Sequence, residues 1–144
     1  MAKLIGIDYG EKKVGIALSD DSGTIAFPKE IIKNDGELIN YIADLALKEN
    51  IACIVMGQST NYHGKDNPIM ERAYQFKKAL EKKLSVPIYF EVEFLTSVEA
   101  QRQPQEADIP RSRKPKVRRH VDAQAAAIML QSYINKIKNL KSWM

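Results

Sequence analysis

The apolar residues of this chain change their spacing at Asp35, and that change restricts the fold more than any other feature. Before it, Lys3 to Asp8, Val14 to Ser19 and Thr24 to Ile32 are short stretches rich in Ile, Val, Leu and Phe. Gly10-Glu11-Lys12 and Asp20-Asp21-Ser22-Gly23 separate them, so they read as a three-stranded antiparallel meander, with Pro28 placing the third strand at an edge or on a bulge. After it, Leu38, Ile39, Ile42, Leu45 and Ala46 recur at helical spacing, with Asp35 as the expected N-cap. Ile51 to Met56 is continuously apolar, as a strand covered on both faces must be, and ends at Gly57. Pro68 to Lys83 reads as a second amphipathic helix and Val86 to Glu93 as a strand. Thr96 and Glu99 have capping-box spacing for a short helix from Ser97, and Val121 to about Lys138 reads as the last helix. The order β-β-β-α-β-α-β-α predicts an α/β fold, a mixed sheet of five strands with helices packed on it.

The 144 residues suffice for one domain of ordinary size, so residues 1–144 are expected to form a single unit. The longest apolar runs are far below the roughly 20 residues needed to cross a bilayer, and no membrane partner is expected. The N-terminus turns polar by Asp8 and lacks the pattern of a secretory leader, which predicts a cytoplasmic protein. The lone cysteine, Cys53, sits inside an apolar run and reads as a small core residue. His63 and His120 are the only histidines, too few for a Cys/His zinc set. His63 reads as an ordinary loop residue, and the role of Trp143 is left open.

Charge is unevenly distributed. Arg111, Arg113, Lys114, Lys116, Arg118 and Arg119 fall in ten residues without an acid and exceed the whole net charge of +4, leaving the remainder of the chain at −2. They lie in or beside a proline-punctuated stretch, about 103–118, that reads as a long loop. Such a loop suits polyanion binding, because each cation placed on a phosphate releases condensed counterions. The alternative is a solvated surface loop.

Three carboxylates sit where a purely structural chain has little use for them. Asp8 and Glu93 end the first and last strands, and Asp122 lies in the first turn of the final helix with Ala125, Ala126, Met129 and Tyr133 on its face. Singly, each has a plain explanation: a turn former, a solvated strand residue, a partner for the helix dipole. Converging, they would repel by roughly 4 kcal/mol per pair at 4 Å and an effective dielectric near 20. A hard divalent cation removes that repulsion, and an oxygen-only set suits Mg²⁺ or Mn²⁺ and in-line hydrolysis of a phosphodiester. On this reading Asp8, Glu93 and Asp122 are both the metal ligands and the catalytic residues.

The segment Asp8-Tyr9-Gly10-Glu11-Lys12-Lys13-Val14-Gly15-Ile16-Ala17-Leu18-Ser19-Asp20 resembles the opening signature of the YqgF family, also called RuvX or Holliday-junction-resolvase-like proteins. Val55-Met56-Gly57, the run from Glu93 to Ala100 and the run from Val121 to Tyr133 resemble the family in the same order. The resemblance implies a ribonuclease-H-like fold, Mg²⁺- or Mn²⁺-dependent nuclease activity in 5′-end maturation of 16S ribosomal RNA precursor, and metal ligands at Asp8, Glu93 and Asp122. It departs at Val92-Glu93-Phe94, where the family has Asp-Glu-Arg, and at Gly57-Gln58-Ser59, where it has Gly-Leu-Pro. Without that arginine, the expected nucleic-acid contacts are Lys12, Lys13, Thr96, Ser97, Arg111, Arg113, Lys114, Lys116, Arg118 and Arg119. Alternatives are a resolvase-like endonuclease on branched DNA, a non-catalytic nucleic-acid-binding module of the same fold, and an actin-like phosphoryl-transfer fold suggested by Asp8-Tyr9-Gly10 with Gly15. The last lacks a second domain and a P-loop. Oligomeric state is not readable from these patterns.

Overall fold

The computed structural model describes residues 3–59, 65, 67–92 and 122–142. Their elements follow as β1 (Lys3–Tyr9), β2 (Lys13–Ser19), β3 (Ala26–Lys33), α1 (Leu38–Lys48), β4 (Ile51–Gln58), α2 (Ile69–Lys83), β5 (Ile88–Val92) and α3 (Ala123–Ser142). The sheet order is β3-β2-β1-β4-β5, with β1-β2-β3 an antiparallel meander and β1, β4 and β5 mutually parallel. This is the expected mixed five-stranded sheet. Parallel pairing brings the C-terminal ends of β1, β4 and β5 to one edge, where ligand groups are commonly carried in α/β sheets.

Strand alternation divides the side chains between two unlike faces. Ile5, Ile7 and Tyr9 of β1, Val14 and Ile16 of β2, Ile54 and Met56 of β4 and Ile88 of β5 pack against Leu38, Ile42 and Leu45 of α1 and Met70, Ala73, Phe76 and Leu80 of α2. Many of these are fully buried, each worth about 2 kcal/mol of burial. Leu4, Ala17, Cys53 and Val55 face the other way, against Ala126, Ala127, Met129, Leu130 and Ile134 of α3. From Cys53 to Met56 β4 is buried on both sides, and of the run Ile51 to Met56 only Ala52 is exposed.

Several boundaries differ from the expectations, for local reasons. Asp35 does not cap α1: its carboxylate accepts the Glu37 N–H at 2.9 Å, closing a turn, and the helix begins after Glu37. β3 starts at Ala26 rather than Thr24, because the Thr24 and Ile25 N–H groups donate to the Asp20 carboxylate instead of pairing with β2. Those backbone bonds, with the Thr24 and Ser22 hydroxyls, hold the Asp20 carboxyl well below the usual carboxylate range. β4 runs past Gly57 to Gln58, α2 starts after Pro68, and α3 begins after Asp122 and extends to Ser142. β5 spans Ile88–Val92. Pro28 lies on the edge strand, at a register shift opposite Ile16 and Ala17.

The approach of α3 depends on missing side chains. A Cβ on Gly6 would lie 2.9 Å from Leu130 Cβ and 3.1 Å from the Ala126 carbonyl oxygen, and one on Gly15 would overlap the Asp122 carbonyl group. A second restraint is polar. Glu91 of β5 is buried on the α3 face, where it accepts the Ser132 hydroxyl at 3.0 Å and pairs with the Lys136 ammonium at 2.7 Å. Gln131 holds the other flank, donating to the Thr24 carbonyl at 3.0 Å and accepting the Ala26 N–H at 2.9 Å.

Gly15→Ala is expected to lower unfolding free energy by about 2 kcal/mol, the range for overpacking, in urea titrations followed by circular dichroism. Replacing Lys136 with Met leaves a carboxylate buried without its cation, whereas Glu91→Gln removes the buried charge and lets a half-exposed ammonium return to water. Lys136→Met is therefore expected to cost about 2 kcal/mol and Glu91→Gln distinctly less, by the same measurement.

Candidate active site

Asp8 is the penultimate residue of β1 and is 1% exposed. Period-two alternation places it with Leu4 and Gly6 on the α3 face. Across the antiparallel ladder it stands opposite Gly15, and opposed positions share a face with Cβ atoms about 5 Å apart. The space where a Gly15 side chain would stand is filled by the Asp122 backbone. Two residues far apart in the chain, Asp8 and Asp122, are thus brought together at the N-terminal end of α3, whose dipole favours negative charge.

Asp122 does not lie in the first helical turn, as expected, but immediately before it. Its Oδ1 accepts the Ala125 N–H at 2.6 Å and its carbonyl accepts the Ala126 N–H at 3.2 Å, so it caps the helix. An ionised carboxylate has acceptor sites beyond that one bond. Capping and ligation are compatible, and the cap fixes where the carboxylate stands.

Glu93, the third expected ligand, lies outside the described residues, as do Thr96, Ser97, Arg111, Arg113, Lys114, Lys116, Arg118, Arg119 and the whole 103–118 stretch, together with His63, His120 and Trp143. Among the described residues, no group of three His, Cys, Asp or Glu side chains is placed to hold a metal ion. The donors that are described, two carboxylates beside a helix N-terminus, fit a hard oxygen-seeking cation and would not suit a soft one.

Lys12 and Lys13 are exposed at the β1–β2 turn, at the same end of the sheet as Asp8. Asn34 secures that turn: its side-chain amide donates to the Gly10 carbonyl at 2.7 Å and its backbone N–H to the Lys12 carbonyl at 2.9 Å. At the end of β4, Ser59 is fully buried, accepts the Asn67 N–H at 2.9 Å and directs its own N–H to the Met70 sulfur at 3.3 Å. The Gly57-Gln58-Ser59 departure therefore leads into a pinned segment.

Cys53 is buried, and desolvation pushes its thiol up from the ordinary value while a hydrogen bond with Tyr133 opposes the rise. It is a core residue, as expected. Tyr133 is pushed up to about 12, first by its own desolvation and then by the neighbouring Cys53, Tyr89 and Glu91. Glu91 and Ser132 were not singled out by sequence reasoning, and Lys136, with Lys138 and Lys141, reads from the sequence as a complement to the C-terminal end of the last helix, whereas its ammonium pairs with Glu91. The available signal was the two-residue repeat Tyr89, Glu91, Glu93 on the last strand and the four-residue step from Ser132 to Lys136 on the last helix.

Among the described residues, no helix is long and apolar enough to cross a membrane. Residues 2–136 match the model of a family described as RuvX, Holliday junction resolvase. A protein of Limosilactobacillus reuteri, described as a candidate pre-16S rRNA nuclease, is 39% identical over 140 residues, covering 93% of each chain. One of Halothermothrix orenii with the same description is 35% identical over 135 residues, covering 92% of this chain and 94% of its own. Among solved structures, Thermus thermophilus RuvC in complex with a Holliday junction substrate superposes with a TM-score of 0.59 at 15% identity, over 96% of both chains. The fowlpox virus resolvase with Holliday junction DNA gives 0.53 at 12% identity, over 94% of this chain and 98% of that one. At those identities the structural likeness shows the fold alone, the ribonuclease-H-like sheet and helices that RuvC-type resolvases share. With the family match spanning nearly the whole chain, this protein belongs to the RuvX family of Holliday-junction-resolvase-like proteins.

Proposed function

We propose that this chain is a divalent-metal-dependent nuclease that hydrolyses phosphodiester bonds in 5′-end processing of 16S ribosomal RNA precursor, working in the cytoplasm as one domain over residues 1–144. The observation that carries the reading is the buried Asp8 carboxylate set against the capped start of α3, where Asp122 stands. It is supported by the relatives described as candidate pre-16S rRNA nucleases.

Asp8, Asp122 and Glu93 are the residues that would hold Mg²⁺ or Mn²⁺. Glu93 follows directly on Val92, the last residue of a strand whose C-terminal end shares an edge with that of β1. When bound, the cation supplies Lewis-acid activation of water and charge stabilisation at the leaving oxygen. The protein's share is position and electrostatics: Asp8 is held by the β1 ladder, Asp122 by its cap, and the N-terminus of α3 is aimed at the place where phosphate charge gathers. Lys12 and Lys13 stand on the turn beside the site to meet the nucleic-acid backbone. Thr96, Ser97, Arg111, Arg113, Lys114, Lys116, Arg118 and Arg119 are assigned the same role.

The family's own description favours a second substrate class, branched DNA. Purified protein is therefore assayed on precursor rRNA, linear DNA and a four-way junction, with Mg²⁺, with Mn²⁺ and with chelator. Cleavage of the rRNA is expected only with metal, and Asp8→Asn is expected to reduce it at least about 10³-fold. An Asp8→Asn protein that cuts at the wild-type rate refutes the assignment. Salt-dependent binding without metal-dependent cleavage would instead establish a non-catalytic binding module.

A further inference from the structure

The sheet face that carries Asp8 continues across β4 to β5. Tyr89 pairs with Val55, and Val55 with Gly6, so Tyr89 shares the α3 face one pleat back from Asp8 and two strands away. Strand spacing and rise put the two Cα atoms about 12 Å apart. The Tyr89 ring lies nearly parallel to that of Tyr133, with centroids 6.1 Å apart and planes 18° from each other. Tyr133 is a firm backing: it is anchored on α3, packed against the core and bonded to Cys53. Tyr89 itself is 47% exposed on the edge strand of the sheet.

Between the tyrosine pair and Asp8 lies Glu91, which pairs with Gly57, the residue after Met56, the partner of Ile7. A bare carboxylate there would repel an approaching phosphate. Lys136 lies on it at 2.7 Å with its side chain 49% exposed, so the surface a polyanion meets is an ammonium. An aromatic face in the open, backed by a second ring and adjoined by a cation, is the arrangement that takes an unpaired base with its phosphate. A protein partner has no comparable call for the neutralised carboxylate lying between the rings and Asp8.

We infer that Tyr89, backed by Tyr133, is a stacking platform for an unpaired nucleobase of the substrate strand, close to the bond that is cut, with Lys136 beside it for a phosphate. This rests on the nuclease reading and deepens it. The substrate is single-stranded where it crosses β5.

The test is equilibrium binding of a fluorescently labelled single-stranded oligonucleotide to the full chain in EDTA, which separates binding from turnover. Tyr89→Ala is expected to weaken binding about 10-fold with little change in salt dependence, because stacking is lost and no cation is. Tyr89→Phe and Tyr89→Trp are expected to bind within about twofold of wild type. Trp143 is the only tryptophan, so in a Trp143→Phe background the indole of Tyr89→Trp reports directly, and its emission is expected to change on saturation. A folded Tyr89→Ala protein with wild-type affinity, or an indole at 89 that does not respond to bound oligonucleotide, overturns the inference and leaves the nuclease reading standing. A wild-type chain that binds no oligonucleotide even at low salt overturns both. If Tyr89→Ala does not fold, the indole response decides.

Discussion

Helix α3 rests on the sheet at a distance that a single methyl group on β2 would prohibit. Gly15 has no side chain to hold the helix start away, so the Asp122 backbone occupies that space directly opposite Asp8. Gly6 does the same one pleat back, at Ala126 and Leu130. The rest of the site follows from this contact: without it, the cap residue and the strand-end carboxylate would stand apart, and the helix dipole would be aimed at solvent. The small side chains Ala126 and Ala127 continue the same close approach along the helix.

The two faces of the sheet do different work. Beneath α1 and α2 the packing is almost wholly apolar, and it supplies the burial that keeps the strands flat against their helices. Among the described residues, the buried polar groups of the α3 face have partners. Ser19 accepts the Leu4 N–H at 2.7 Å and donates to the Asp20 carbonyl at 2.9 Å, and Glu91 is met by Ser132 and Lys136. Buried polar groups of this kind are tolerable because they are satisfied. Among the described residues this face is covered by α3, and at its β5 side Tyr89 is half exposed.

The departures from the family pattern gain a structural context. Val92 and Phe94 stand where the family has an acid and an arginine. In this chain the described acid of β5 is Glu91, one position earlier, and the cation that answers it comes from α3 as Lys136. The charge pair links the last strand to the last helix, the two elements beside which Glu93 and Asp122 stand in the sequence. The Ser59 departure is likewise absorbed, since its backbone bonds to Asn67 and Met70 and its hydroxyl accepts the Asn67 side-chain amide, tying down the end of β4.

Much of this was legible in the residues alone. The change of apolar period at Asp35 yields the order of the elements, because burial on one side of a strand or helix imposes its own repeat whatever the surroundings. The proline in β3 marks the edge, and the unbroken apolar run of β4 marks the centre. Element ends were less legible: Asp35, Asp20 and Asp122 each offer a short carboxylate to nearby N–H groups, and which N–H they take depends on turns whose geometry no periodicity encodes. The site divides in the same way. That Asp8 and Asp122 are unusual acids is apparent from their neighbours in the chain. That they meet, that Gly15 is the reason, and that Glu91 is buried against Lys136 were decided only when the strands paired and the helix docked. Register and helix approach arise from contacts between residues distant in sequence, and a local pattern carries no record of them.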